Sequence, residues 1–499
     1  MRHAFLLLCA ALMLQGFGVA SVQASEDAAQ STPRRFEVDR RGVFGGEQVR
    51  YKVIVAENHI ADEQGERAAS LISTTYVRSD VDAGERRSVV FAFNGGPGSS
   101  SIWMHMGLLG PRVIAFGNEL QPETSPPYRL ADNPHSLLDV ADIVLFDPPG
   151  TGFSRVLNGS EAARFYGVRQ DAETLVRFIE DWILEYGRWN SPRFLMGESY
   201  GTIRAAVAAK LLAGGPMNSG NMEGLTLNGV ILLGLALDRG SGELSLATAL
   251  PTLAATAWFH GKIDGGATLE QHVAAARQFA ADAYLGALFA GALLEERERE
   301  EVAGRLAELT GLPEDFVLER DLRISPDAFA SELLRGKGLD VGRYDARYTL
   351  PSASSGDDPV ADDPAMAQYV PGYVAALNTY MRDELGVEID ERYEVIAFRD
   401  VNFRWDWGFG PGVPSNRNFA EDLAIAMRRN PSLRLFAGSG YYDLVTTMGA
   451  AEYAMSHLGP VQDRIVVRNY ESGHAPYQGP ESRGALASDL RAFIRSATR

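Results

Sequence analysis

The passage that most restricts the fold is one where a short apolar strand stops at a glycine-flanked serine and a helix begins at once. Arg193–Gly197 reads as a strand, Gly197-Glu198-Ser199-Tyr200-Gly201 has the pattern G-x-S-x-G, and Thr202–Leu212 is a good helix former. A turn this sharp needs small flanking residues, because it holds the serine in a strained conformation with its hydroxyl exposed. It also sets Ser199 beside a helix N-terminus, whose positive dipole end favours developing negative charge. The five letters alone are a weak signal. The strand before them and the helix after them make it restrictive.

The rest of the chain repeats that alternation. Strands are expected around Arg50–Ala56, Ser70–Val77, Ser88–Phe93, Ala141–Phe146 and Gly229–Leu235, then again at Tyr393–Phe398, Leu433–Ala437 and Arg464–Asn469. From Val168 to Tyr186, apolar residues at 168, 172, 175, 178, 179, 182, 183 and 186 trace one helical stripe. Gly484–Arg495 reads as a final helix. Continuous apolar strands alternating with amphipathic helices specify a mostly parallel central sheet with helices on both faces, the α/β class.

Between about residues 239 and 392 the texture changes to Ala, Leu, Glu and Arg at helical spacing. Helices are expected at Leu269–Leu288 and Glu295–Leu309, the second closed by Gly311 and Pro313, with another capped by Ser325-Pro326. The implied organisation is a first core segment over 47–238, a helical insertion over 239–392 and a second core segment over 393–499. Before them, 1–24 has the form of a signal peptide. Arg2 supplies a positive start, Phe5–Leu14 a short apolar run, and Val22-Gln23-Ala24 a cleavage pattern that would leave Ser25 first. Residues 25–46 read as a loose polar leader. The apolar run is shorter than the ~20 residues that span a bilayer, so no transmembrane segment is expected and the location is periplasmic or secreted. The single cysteine, Cys9, falls in the removed part.

Composition narrows the function classes. A formal net charge of −18 offers no basic excess to neutralise phosphates, which argues against a nucleic-acid partner. The chain has no HExxH and no Cys/His metal spacing, so neither a metal nor another cofactor is expected. Oligomeric state is left open.

A serine hydroxyl attacks only when a base takes its proton. Of the eight histidines, only His457 and His474 lie late enough to follow a late acid in the order Ser, Asp or Glu, His. His457 falls within an expected helix, Met448–Leu458, whereas His474 sits in a loop straight after the last strand. Leu433–Ala437 leads into Gly438-Ser439-Gly440-Tyr441-Tyr442-Asp443, which places Asp443 in the matching loop, with Asp463 as a weaker competitor. Asp443 would orient the imidazole and stabilise its charged form. Asn94-Gly95-Gly96-Pro97-Gly98 follows an early strand and leaves backbone amides open. Gly96 is the expected oxyanion donor beside the amide of Tyr200. As a phosphate loop or a dinucleotide fingerprint the same run fails on spacing.

Taken together these segments resemble the serine carboxypeptidase family. The match runs through Phe93–Ser101 (Phe-Asn-Gly-Gly-Pro-Gly-Ser-Ser-Ser), Gly110-Pro111, Asp147-Pro148-Pro149-Gly150-Thr151-Gly152-Phe153-Ser154, Gly197–Gly201, Gly440-Tyr441-Tyr442-Asp443 and Gly473-His474, in the family's order. The resemblance implies an α/β-hydrolase fold with a helical cap, cleaving C-terminal residues from peptides through an acyl-enzyme. It implies that Asn94, Gly95 and Glu198 bind substrate, Asn94 and Glu198 gripping the terminal carboxylate. Glu198 can donate to a carboxylate only when protonated, so its pKa would need raising. The family's tryptophan before the glycine loop is Ala92 here, a second carboxylate-binding glutamate is Leu108, and the glycine-loop cysteine is Ser99. Leu108 takes a partner from terminal-carboxylate recognition and Ser99 means that the family disulfides are absent, while the triad is untouched. An esterase or acyltransferase on the same triad, or more remotely a binding protein that keeps the fold, is also open on the sequence.

Overall fold

The computed structural model describes residues 32–499 apart from 63, 83–84, 118–119, 121, 158–161, 221, 223, 238–241, 264, 355, 357, 409–416 and 460. The signal-peptide reading of 1–24, and residues 25–31 of the leader, lie outside the described residues.

The central feature is a ten-stranded sheet. Its strands are β1 (Arg35–Phe44), β2 (Glu47–Ala61), β3 (Arg67–Arg78), β4 (Ser88–Phe93), β5 (Ala141–Phe146), β6 (Arg193–Glu198), β7 (Gly229–Leu233), β8 (Arg434–Gly440) and β9 (Ile465–Tyr470). They lie in the order β1-β2-β3-β5-β4-β6-β7-β8-β9, with the two-residue strand Arg155–Val156 on β3. The first strands pair antiparallel up to the β3–β5 contact. From β5 to β9 every pair is parallel. Strands β4, β5, β6 and β7 are buried at every residue. Strands buried on both faces need unbroken apolar runs, which is why these four were legible as such.

The helices that matter for the site are α1 (Val168–Tyr186), α2 (Tyr200–Leu212), α3 (Glu243–Phe259), α4 (Leu269–Phe279), α5 (Glu296–Thr310), α6 (Pro326–Glu332), α7 (Pro364–Thr379), α8 (Ala420–Arg429), α9 (Met448–Ser456) and α10 (Pro480–Ala497). One apolar core unites α1, α2, α8 and α9 with one face of the sheet. A second joins α7 and α10 to the other face. A third is built from α3, α4, α5 and α6, and it reaches Tyr442, Leu444 and Met448 of the main body. The expected stripe of α1 is the face that is buried, with Val168, Ala172, Leu175, Phe178, Ile179, Trp182 and Ile183 inside. Gly187 ends that helix in the left-handed conformation at φ 63°. In α6 the Ser325 side chain accepts from the Ala328 amide, with Pro326 at the first position, as the sequence suggested.

Two segments differ from the sequence reading. Arg35–Phe44, within the expected leader, is an edge strand paired along its whole length with β2. Its outer face is exposed and charged, which hides the strand alternation from a sequence reading. Tyr393–Phe398, expected as a strand, joins no sheet. It makes only isolated bridges, Glu394 to Gly152 and Ile396 to Ser99. Its alternation of side chains is satisfied by packing over the site loops.

A buried ion pair ties the core to the loop after β4. Arg204 on α2 donates Nε to Asp171 Oδ2 on α1 at 2.7 Å and Nη1 to the Asn94 carbonyl at 2.6 Å. Tyr200 donates its hydroxyl to the same carboxylate oxygen at 3.1 Å. Removing the cation alone would strand Asp171 without its charge partner, so Arg204→Met should lower stability by about 3–5 kcal/mol, while Arg204→Met with Asp171→Leu should recover much of it. Urea unfolding of the two variants measures this; a single variant as stable as wild type would count against the pair.

Candidate active site

Ser199 sits between the end of β6 and the first turn of α2 with φ 59° and ψ −127°, a left-handed conformation that a non-glycine residue adopts only under constraint. Three contacts supply that constraint. The Ser199 amide donates to Leu233 O at 2.9 Å, and its carbonyl accepts from the Thr202 amide and from Thr202 Oγ1 at 2.6 Å. The Thr202 hydroxyl oxygen in turn accepts from the Ala236 amide at 3.0 Å. Glycine flanks the turn for a steric reason. A Cβ on Gly197 would lie 2.1 Å from Gly201 O, and one on Gly201 would lie 2.9 Å from Phe93 O.

The loop after β4 crosses directly over this turn. A Cβ on Gly95 would stand 2.4 Å from the Tyr200 amide nitrogen and 2.5 Å from that of Gly201. Both amides belong to the first turn of α2, where N–H groups have no intrahelical acceptor. Gly96 follows at φ +99°, exposed in the cavity wall.

His474 and Asp443 come from the loops after β9 and β8. His474 Nδ1 lies 2.9 Å from Asp443 Oδ2. The other carboxylate oxygen accepts from the Val445 and Thr446 amides at 2.8 and 2.9 Å. Thr446 Oγ1 donates to Asp443 Oδ2 and stands 3.1 Å from His474 Nδ1. Burial disfavours the imidazolium, yet the charge and hydrogen bond of Asp443, with Glu198 and Asp363 behind, hold the His474 pKa above its ordinary value. His457, by contrast, is an exposed residue whose Nδ1 meets Tyr453 O, and Asp463 lies in a turn before β9.

Ser199, His474, Asn94, Gly95, Gly96, Glu198 and Tyr200 all line one cavity of about 470 Å³. Among the described residues no hydrogen bond joins Ser199 to His474, though both line the cavity. Of the aromatic residues around Tyr200 and the inserted helices, Trp407 lines the cavity. Trp258 instead donates to Ala267 O, His260 meets Ala346 O, and Trp405 packs on the Tyr200 ring.

Glu198 is buried at the cavity's floor. Burial raises its pKa to about 7, against the lowering influence of His474 and of the Tyr477 hydroxyl, which donates to Oε2 at 2.5 Å. Asn94 Oδ1 accepts from the Met104 amide at 3.1 Å. Its Nδ2 stays close enough to Glu198 to stabilise the charged form, yet no protein acceptor takes it in bonding geometry. A buried donor left open beside a half-protonated carboxyl is a place for a polar ligand group. Thr446 and Tyr477 were missed in the sequence. Both lie three residues beyond a named site residue on the same loop, and proximity on the loop was their only signal.

These relations agree with what the chain is similar to. Residues 76–283 match the family model described as serine carboxypeptidase. In that stretch the chain is similar to serine carboxypeptidases. No curated protein matches its sequence. Among solved structures, a prohormone-processing carboxypeptidase from Saccharomyces cerevisiae aligns at TM-score 0.53 and 15% identity, over 89% of this chain and 92% of that one. A thermostable carboxyl esterase from Bacillus coagulans aligns at TM-score 0.36 and 12% identity, over 89% and 98%. The first of these, with the sheet order, makes the fold that of the α/β-hydrolases. Among the described residues no group of acidic, histidine or cysteine side chains could hold a metal ion, and no helix is long and apolar enough to cross a membrane.

The clearance over the Tyr200 amide is the most exacting feature of the site. If that amide receives an oxyanion, Gly95→Ala should lower kcat by about 10²-fold, the cost of losing one such donor, with little change in KM. Steady-state kinetics on an activated ester reads it; unchanged kcat would show that this amide is not used.

Proposed function

We propose that this hydrolase removes C-terminal residues from peptides, with Ser199 as nucleophile, His474 as base and then acid, and Asp443 as the group that orients the imidazole. The observation that carries the reading is the 2.9 Å His474–Asp443 bond opening onto the same cavity as a strained, glycine-flanked serine. His474 withdraws the hydroxyl proton as Ser199 attacks the scissile carbonyl. The amides of Gly96 and Tyr200 receive the oxyanion, and the imidazolium returns the proton to the leaving amine. Water then repeats the sequence on the acyl-enzyme.

The substrate's terminal carboxylate would meet protonated Glu198 and the open Nδ2 of Asn94, with Gly95 supplying the close backbone approach. Beside them the wall is aromatic. Trp103 and Tyr373 lie 5.2 Å apart between ring centroids, Tyr369 is 5.9 Å from Tyr373, and Met366 completes the surface. Such a wall suits a large apolar C-terminal side chain. Export follows the N-terminal pattern, with Ser25 as the first residue of the mature chain.

Two measurements test this. A fluorophosphonate probe should label wild type at Ser199 and leave Ser199→Ala unlabelled; labelling that survives would refute the nucleophile. The second test uses pH. Below about pH 7 Glu198 is protonated and donates to the carboxylate, and above it two like charges face each other. Affinity for free-acid peptides should therefore fall as pH rises through about 7. C-terminally amidated peptides and esters should show no such loss. Glu198→Gln should flatten the free-acid profile. A free-acid binding constant that is flat across this range in wild type would remove Glu198 from carboxylate recognition and favour an esterase.

A further inference from the structure

The two loops that carry Asp443 and His474 are not held to each other only by the main sheet. A segment of the inserted region, residues 343–348, lies between them and bonds to both. The Leu444 amide donates to Arg343 O at 3.0 Å, and the Ala346 amide donates to Tyr442 O at 2.9 Å, so the residues on either side of Asp443 are clasped by this strap. The His474 amide donates to Tyr344 O at 2.6 Å, and the Tyr344 ring stands edge-on to the imidazole at 5.4 Å. The approach is close enough that a Cβ on Gly473 would meet Tyr344 O at 2.3 Å and Asp345 Cβ at 2.5 Å.

The strap is kept in shape by a buried ion pair within itself. Arg347 Nε donates to Asp345 Oδ1 at 3.0 Å and Nη2 to Asp345 Oδ2 at 2.7 Å, and the Arg347 amide donates to Asp345 Oδ1 at 3.1 Å. The remaining arm of the guanidinium, Nη1, donates to Glu471 O at 2.8 Å, on the loop that carries His474. The same guanidinium lies over the Tyr442 ring at 5.5 Å, next to Asp443. One planar cation therefore touches both loops and fixes the strap's turn. Only the forked geometry of arginine makes these bonds together. At its other end the strap is anchored by Asp363, which accepts from the Arg343 amide at 2.6 Å and caps α7.

We infer that the Asp345–Arg347 pair is a positioning element for the acid–base relay, setting the separation of the Asp443 and His474 loops from the inserted region. The inference rests on reading Ser199, His474 and Asp443 as the triad. A pair that served stability alone would lower activity only in proportion to the fraction unfolded. A positioning pair slows the attack by Ser199 in protein that is fully folded.

The test compares Arg347→Met, Arg347→Lys and Leu333→Ala in the full chain. Leu333 is buried in the core of the inserted helices and lies outside the strap, so it serves as a destabilised control. Melting temperatures are measured first, and all assays run well below the lowest of them. There are two readouts: the rate constant for fluorophosphonate labelling of Ser199, and the low-field proton NMR signal of the His474 Nδ1–H bonded to Asp443.

The expected result is labelling at least tenfold slower in Arg347→Met with loss or broadening of the low-field signal. Arg347→Lys should fall between it and wild type, and Leu333→Ala should stay within twofold of wild type. Labelling of folded Arg347→Met within twofold of wild type would overturn the inference, as would equal slowing in Leu333→Ala. Should Arg347→Met not fold, Arg347→Lys decides: at least threefold slowing supports the inference and a change within twofold overturns it. Absence of labelling in wild type is a separate result. It overturns the triad reading itself, and the inference with it.

Discussion

The site depends on how closely two stretches of backbone cross. The loop after β4 lies over the first turn of α2 with no room for a side chain at Gly95, Gly197 or Gly201. That crossing forces Ser199 into its left-handed conformation, clears the amide of Tyr200, and brings Asn94 against Glu198. The buried Arg204–Asp171 pair, through its bond to Asn94 O, keeps the crossing from opening. Strain at one residue is sustained because every neighbour of it is over-determined.

Electrostatics then divides two buried carboxyl groups, Asp443 and Glu198. Asp443 accepts two backbone amides, a hydroxyl and an imidazole, and its negative charge holds His474 above its ordinary pKa. Glu198 accepts from the Tyr477 hydroxyl, and burial drives its pKa up to about 7. The environment, rather than the residue type, surrounds one with donors that tie it to His474 and leaves the other with a pKa of about 7.

Much of this was legible from the chain, for reasons that differ by element. β4, β5, β6 and β7 read as strands because burial on both faces leaves unbroken apolar runs. The loops bearing Ser199, Asp443 and His474 were legible because each starts where such a run stops. β1 was not legible: an edge strand keeps one face in water, and its charges resembled a leader. Tyr393–Phe398 misled in the other direction, since alternation records which side chains are buried and not whether a sheet edge is free to take the strand. The bonds of Tyr344 and Arg347 to the His474 loop span more than a hundred residues of chain and leave no periodic mark. The change to helical spacing after about residue 239 was visible, but the bonds from 343–348 to the two loops were not.

Glu198 and Ser199 are consecutive residues on one rigid turn. If Glu198 holds the end of a peptide while Ser199 attacks it, the span from anchor to scissile bond is set by a single peptide unit of the protein. The enzyme then carries a built-in ruler: it would measure inward from the chain terminus and release one residue per encounter. Internal peptide bonds, which offer no end to grip, would pass through the same cavity uncut.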